Sequence, residues 1–431
     1  MMKKALLVSL LIMSLALPLF ASGAQEATGP VTITFWTHED PNRTALEDRY
    51  IAEFQAANPD VTIERVTNSS KKMPELLLTA FAANEGPHIF NTQIEDGYAY
   101  IANGRVAPVN LGAAGFKSVK DLKASYVDGV LDAVSEDNNV YGLPLELTNW
   151  APYLNKQIFR DAGLDPEKDY PKTWEDMVAV SQKIVSREGE IITRRGFDFR
   201  YPYYLVSMVP MVEQLGGKLV SDDGKTAIVG DEAWLKFLQF MADWGPNGLN
   251  LGSPTYKNGR KLFNSNNNDM GMAMSGLYQA GRIRADNPDF YNSGDWMVIP
   301  FPQFEDAVED VASAYYGHFY MVNSQKADRE QKVAWEFITY MLSHSEEYLT
   351  EVGLIQPTKA LMSSETFANI PYADVFAADM AKGNIVYYAE NSAKIQELIK
   401  EAVEGVMLSG IAPEKALASL KVKAQEVLDQ E

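Results

Sequence analysis

Residues 31–91 alternate strand-like and helix-like segments without interruption, and no other feature of the chain restricts its fold as strongly. Residues 31–36 (VTITFW) put Val31, Ile33 and Phe35 on one face of a strand. A polar turn follows, in which Asp40 can cap a helix whose first position is Pro41, where a missing N–H costs nothing. Leu46, Tyr50, Phe54 and Ala57 recur at helical spacing until Asn58-Pro59 ends the element. Residues 61–66 read as a second strand, 73–83 as a second helix, and 88–91 as a third strand after Gly86-Pro87. Such a succession predicts a parallel α/β sheet. Ligands of these sheets sit beyond the carboxyl ends of the strands, here segments 37–42 and 91–96.

Further along, residues 140–144 read as a strand leaving this first domain. Thr173 and Asp176 carry a capping-box pattern, with Asp in place of Glu, for a helix running to Val185. Trp234, Leu235, Leu238 and Met241 line one helix face. Val333, Ala334, Phe337, Ile338, Met341 and Leu342 line a second, and Ile395, Leu398, Ile399, Ala402, Val403 and Val406 a third. Pro413 opens a last helix. About 405 residues beyond the leader exceed what one core holds, so two domains are expected. No long linker separates them, which implies that the chain crosses between domains more than once.

The leader itself has a basic start (Lys3, Lys4), an apolar run over residues 5–17, a break at Pro18 and small residues at Ala21-Ser22-Gly23-Ala24. That is the pattern of a cleaved signal peptide over residues 1–24, because the run is too short for the roughly 20 residues of a membrane span. The chain has no cysteine, which excludes disulfides, thiolate metal sites and a lipid at the cleavage point. The expected location is therefore the periplasm. The net charge is −20, two units more negative without Lys3 and Lys4, and it repels nucleic acid and anionic lipid. Nucleotide-loop, nucleophile-elbow and zinc-protease motifs are all missing. The four histidines, His38, His88, His318 and His344, lack metal-ligand spacing. Segment 264–269 (NSNNND) holds one carboxylate where a calcium loop needs several, and reads as a polar loop. No cofactor or metal is expected.

Several short motifs recur in order over nearly the whole chain. They are ITFW at 33–36, FQAANP at 54–59, GPHIF at 86–90, YGLP at 141–144, YLNK at 153–156, PKTWED at 171–176, MGMAMSG at 270–276, AWEFI at 334–338 and GLIQP at 353–357. In these the chain resembles the extracellular solute-binding proteins of carbohydrate ABC importers, the maltose-binding-protein-like group. Pro87-His88 departs from the Pro-Asp usual there, and the lysine that usually precedes the Ala273-Met274 pair is replaced. Ile395 falls near a late aromatic of maltose-type members, which argues against a maltodextrin ligand. The resemblance implies an α/β fold of two lobes with a hinge and an interlobe cleft. Lobe 1 would span 25–145 plus about 295–348, and lobe 2 would span 146–294 plus about 349–431. It implies hinge closure near 143–150, 290–300 and 345–355, a monomer, and a transmembrane permease as partner.

A sugar offers apolar C–H faces and a rim of hydroxyls, so its site needs aromatic platforms beside carboxylates and amides. Trp36, His38, Glu39 and Asp40 on the first strand-to-helix turn supply both kinds of group, although core packing would equally explain Trp36. Asn91, Glu95 and Asp96 follow the third strand. The resemblance brings Glu146, Thr148, Asn149 and Trp150 past the ligand at the hinge. It makes Tyr278 a stacking aromatic, and it returns Tyr316 and His318 beside the ligand. Among Tyr201, Tyr203 and Tyr204, Tyr204 is chosen as the one facing the cleft. Arg43, His38 and His318 leave an anionic sugar open. The expected function is capture of a sugar or sugar-like solute, without catalysis, for an ABC importer. A secreted glycosidase or lyase with paired acids, or a protein presenting ligand to a chemoreceptor, are the alternatives.

Overall fold

The computed structural model describes residues 29–430 apart from 71, 190, 202, 222–223, 257–258, 266–268 and 384–390. The leader, and part of the 264–269 loop, lie outside the described residues. The opening rhythm forms as expected. Strand β1 (Val31–His38) alternates buried and outward positions, and α1 (Pro41–Ala57) follows with Asp40 as its N-cap, accepting the Arg43 N–H. Then come β2 (Val61–Asn68), α2 (Met73–Ala82), β3 (Ile89–Gln93) and α3 (Ile94–Ala102). After β4 (Val106–Ala107), residues 135–140 form a small hairpin of β5 (Ser135–Glu136) and β6 (Asn139–Val140). The stretch read as one strand over 140–144 is divided. Asp137 and Asn138 take positive φ angles to turn the hairpin, and β7 (Leu143–Thr148) starts only after Gly142, where a Cβ would meet Phe319 at 3.3 Å and Met321 at 3.4 Å.

Two sheets result. The first has the order β2-β1-β3-β13-β4, where β13 is Tyr316–Asn323 and β7 also pairs with β13. Strands β2, β1 and β3 are parallel, but β13 runs antiparallel to β3, so the sheet is mixed rather than wholly parallel. The second has the order β12-β8-β11-β10-β9, from β8 (Ala151–Asn155), β9 (Ser186–Glu188), β10 (Ile191–Asp198), β11 (Met270–Ser275) and β12 (Trp296–Val298). The helix Asp328–Leu342 covers the first sheet, with Phe337 edge-on to Phe35 and Phe54. Trp174 opens the capped helix Trp174–Ile184 and buries its ring among Phe197, Phe199 and Phe301 of the second lobe. That helix can lie on β10 because Gly196 faces it; a Cβ there would meet Ser181 Cα at 2.4 Å.

The chain passes between lobes three times. Asn149-Trp150 joins β7 to β8, and residues 299–315 join β12 to β13. Ile355 then leads to helices that bury Leu361, Phe367 and Phe376 against Tyr153 and Trp296 of the second lobe. The three passages are stitched together. Trp150 N–H donates to Ser313 Oγ at 2.6 Å, Ser313 Oγ donates to the Trp150 carbonyl at 2.7 Å, and Leu147 N–H donates to the Ile355 carbonyl at 2.8 Å. The result is a bilobed α/β fold whose functional residues sit around this seam. No helix among the described residues is long and apolar enough to cross a membrane.

Candidate functional site

The carboxyl end of β1 delivers His38 to a position where its ring stacks on His318 of β13, with centroids 4.2 Å apart. Antiparallel pairing of β13 with both β3 and β7 brings His318 opposite Gln93 on one side and Glu146 on the other. Hydrogen-bond identity then determines both rings. The His38 backbone N–H donates to Asn91 Oδ1 at 2.9 Å, so the amide nitrogen of Asn91 must be the group 2.6 Å from His38 Nδ1. Nδ1 therefore accepts, and the neutral ring carries its proton on Nε2. Burial, reinforced by Arg43, His318 and Arg282, holds the His38 pKa well below the ordinary histidine range, so the ring is neutral. His318 Nδ1 lies 2.9 Å from Glu146 Oε1 and donates to that buried carboxylate, which leaves Nε2 as its second ring nitrogen. Two stacked imidazoles thus each keep Nε2 clear of these bonds, and the one on His38 is a donor that a hydroxyl group can use.

The donor atoms of His38, Glu146 and His318 lie within 4.8 Å of one another, close enough to suggest a divalent cation. The arrangement is better satisfied as a hydrogen-bond network. Nδ1 of His38 is taken by Asn91, Nδ1 of His318 is taken by Glu146, and two rings stacked face to face cannot both aim lone pairs at one ion without turning. A small cavity of about 20 Å³ adjoins the pair and is lined also by Gln93 and Asp96. Burial pushes the Asp96 carboxyl up, opposed by His318, and pushes Glu95 up to about 7.

From His318 an aromatic chain runs to the second lobe. Tyr316 stands edge-on to His318 at 5.5 Å and accepts from Gln93 Nε2 at 3.2 Å. It then contacts Trp150 at 5.2 Å, Tyr203 at 5.7 Å and Tyr278 at 6.4 Å. Trp150 is fully buried at the first passage, and its Nε1 and the Asn149 amide have no hydrogen-bond partner among the described residues. Tyr203 reaches these rings and Tyr204 does not. Tyr204 is the first residue of a short helix, is buried in the second lobe and donates its hydroxyl proton to Glu404 at 3.1 Å.

The remaining candidates lie nearer the rim. Asp40 pairs with Arg282 of the second lobe at 3.1 Å. Glu39 is exposed and lines, with Asp40, Thr67, Lys261, Arg282 and Asp286, an interlobe groove of about 770 Å³. Trp36 is half-buried and packs against the core. Arg43 is committed elsewhere: it pairs with Glu47 at 3.5 Å and donates to the Thr37 hydroxyl and the His38 carbonyl. Two residues at the seam were not singled out from the sequence. Arg282 lies over the Tyr278 ring at 4.6 Å, and Arg200 lies over Trp150 at 4.3 Å. Neither stands in a recognisable motif; the only signal was the run of tyrosines after Arg200.

Residues 40–348 match the profile of the bacterial extracellular solute-binding protein family. An arabinooligosaccharide-binding protein of Halalkalibacterium halodurans is 24% identical over 325 residues, covering 72% of this chain and 67% of its own. A lactose-binding protein of Rhizobium radiobacter is 21% identical over 344 residues, 79% of this chain and 77% of its own. Among solved structures, an ABC transporter solute-binding protein from Thermotoga lettingae bound to α-D-tagatose superposes with a TM-score of 0.79 at 20% identity, covering 92% of this chain and 99% of that one.

Proposed function

The chain belongs to the bacterial extracellular solute-binding proteins, and from that premise we propose that it captures a carbohydrate in the cleft between its lobes and hands it to an ABC importer permease by closing on it. It is a binding protein and not an enzyme. The observation that carries the proposal is the seam itself. Four aromatic rings, Trp150, Tyr203, Tyr278 and Tyr316, gather there from both lobes. Beside them the stacked His38–His318 pair adds polar ring nitrogens, the Nε2 of His38 being a donor. Aromatic faces take the C–H faces of a sugar, and paired donors and acceptors take its hydroxyls. The named ligands of the relatives, an arabino-oligosaccharide, lactose and tagatose, support the class without choosing the member.

Delivery follows from closure. A ligand touching both lobes binds the closed arrangement more tightly, and that difference alone shifts the population. Three passages stitched to one another permit rotation and little else. The proposal puts this work in the periplasm as a free monomer, because residues 1–24 have signal-peptide character and no cysteine is present to carry a lipid. A thermal-shift screen over neutral sugars, oligosaccharides and sugar acids tests the reading. A ligand at a hundred times its Kd should raise stability by about 2.7 kcal/mol, and small-angle scattering should then record a smaller radius of gyration. A panel in which no carbohydrate moves the melting temperature would overturn it.

A further inference from the structure

We infer that the cleft recognises an oxyanion on its carbohydrate, a carboxylate or a phosphate, through the guanidinium of Arg200. The inference rests on the capture reading above and narrows its ligand. Arg200 follows β10 and holds a backbone φ of 60°, a left-handed conformation uncommon for a residue with a Cβ and typical of positions fixed by function. The Asp198 carboxylate accepts the Arg200 backbone N–H, which secures the turn and commits the nearest acid to the main chain. The side chain then enters an aromatic enclosure, 4.3 Å from the Trp150 ring, 5.2 Å from Tyr203 and 5.6 Å from Tyr278.

Its polar contacts are all neutral. Nη1 donates to the Tyr278 hydroxyl and, at 3.3 Å, to Ser275 Oγ. Among the described residues it forms no ion pair with a carboxylate. The other cleft-side arginines differ: Arg43 is matched by Glu47 and Arg282 by Asp40. Asp198 lies close enough to feel the Arg200 charge but does not pair with it; a guanidinium drawn out of water with no carboxylate bonded to it is costly, and an arriving oxyanion offsets that cost with short charge-assisted hydrogen bonds. Arg282 lies over the same Tyr278 ring at 4.6 Å, but its charge is already answered by Asp40. A chain of net charge −20 repels anions in general, so such a ligand would need a local positive site of this kind.

The experiment uses matched pairs against the purified mature protein: D-galactose with D-galacturonate, D-glucose with D-glucuronate, and glycerol with sn-glycerol 3-phosphate. Calorimetric Kd values are read at low and high salt. At least one acid should bind about tenfold or more tightly than its neutral partner, with an advantage that shrinks in salt. The uronate and phosphate arms identify which oxyanion is taken. Arg200→Gln should remove the advantage and Arg200→Lys should keep part of it, the acid losing more affinity than its neutral partner in each case. Neutral sugars binding as tightly as their acids, or an acid preference that survives Arg200→Gln, overturns the inference and leaves the capture reading standing. Binding by neither member of any pair counts against both. The salt comparison on the unaltered protein decides the matter even if the variants fail to fold.

Discussion

The contact between Asp40 and Arg282 gives the most direct test of lobe closure. Arg282 Nη2 lies 3.1 Å from Asp40 Oδ2, one on each lobe, with 28% and 9% of the two side chains exposed. Coulomb attraction at that separation is about 5 kcal/mol at an effective dielectric constant of 20, but desolvation and ordering of both side chains cancel most of it. Exposed pairs net about 0.2–1 kcal/mol, and this partly shielded one belongs at the upper end, about 1 kcal/mol. Asp40→Asn keeps the N-cap of α1, because an asparagine oxygen can accept the Arg43 N–H that Asp40 accepts now. It removes only the charge. If the pair forms only when the lobes meet, the closed state loses about 1 kcal/mol and ligand affinity falls about fivefold. Calorimetry should show that loss in Asp40→Asn and in Arg282→Gln, with the double variant no worse than the weaker single one. Scattering on the ligand-free variants should show a larger radius of gyration than the parent. Additive losses in the double variant, or an unchanged Kd in Asp40→Asn, would refute the latch.

Other outcomes can be read from the same coordinates. Gly317→Ala should destabilise by about 1–3 kcal/mol, because its Cβ would lie 2.3 Å from the Glu146 carbonyl oxygen and 3.2 Å from Leu147 Cα; Gly112→Ala, whose Cβ meets only Asn110 Oδ1 at 3.5 Å, should melt like the parent. Asp379 accepts the Phe301 N–H at 2.9 Å, and burial raises its pKa from 3.8 to about 6. The folded state therefore binds that proton more tightly than the unfolded one, and this residue's contribution to stability declines as pH rises from about 4 to about 6. Asp379→Asn keeps the acceptor and should melt progressively higher than the parent across that interval, a trend whose absence in thermal melts would reject the argument. N-terminal sequencing of exported protein should begin near Ala24 or Gln25, and an intact Met1 on protein from the native envelope would reject the signal peptide.

The first lobe was the most legible part of the chain because its signals are local. Val31, Ile33 and Phe35 alternate, Asp40 and Pro41 start a helix, and Asn58-Pro59 stops it; the observed α1 runs from Pro41 to Ala57. The antiparallel β13 was invisible to that rhythm, since it joins β3 from more than 200 residues further along the chain. The same distance hid the pairing of His38 with His318 and Glu146. Each could be suspected from its place at a strand end, but only register brings the three together, and a one-residue slip would turn His318 to the opposite face of its sheet.

The second lobe shows the limit from the other side. In Tyr201–Tyr204 three tyrosines compete for one aromatic position, and the helix start at Tyr204 turns that ring into the core while Tyr203 joins Trp150. Arg200, between Phe199 and Tyr201, gave no signal of its own, because propensity assigns arginine no tendency toward the left-handed region. Its φ of 60° redirects the side chain from the strand's alternating faces into the ring cluster. A single left-handed residue thus sets a guanidinium 4.3 Å from the Trp150 ring and 5.2 Å from that of Tyr203, a placement that only the folded backbone reveals.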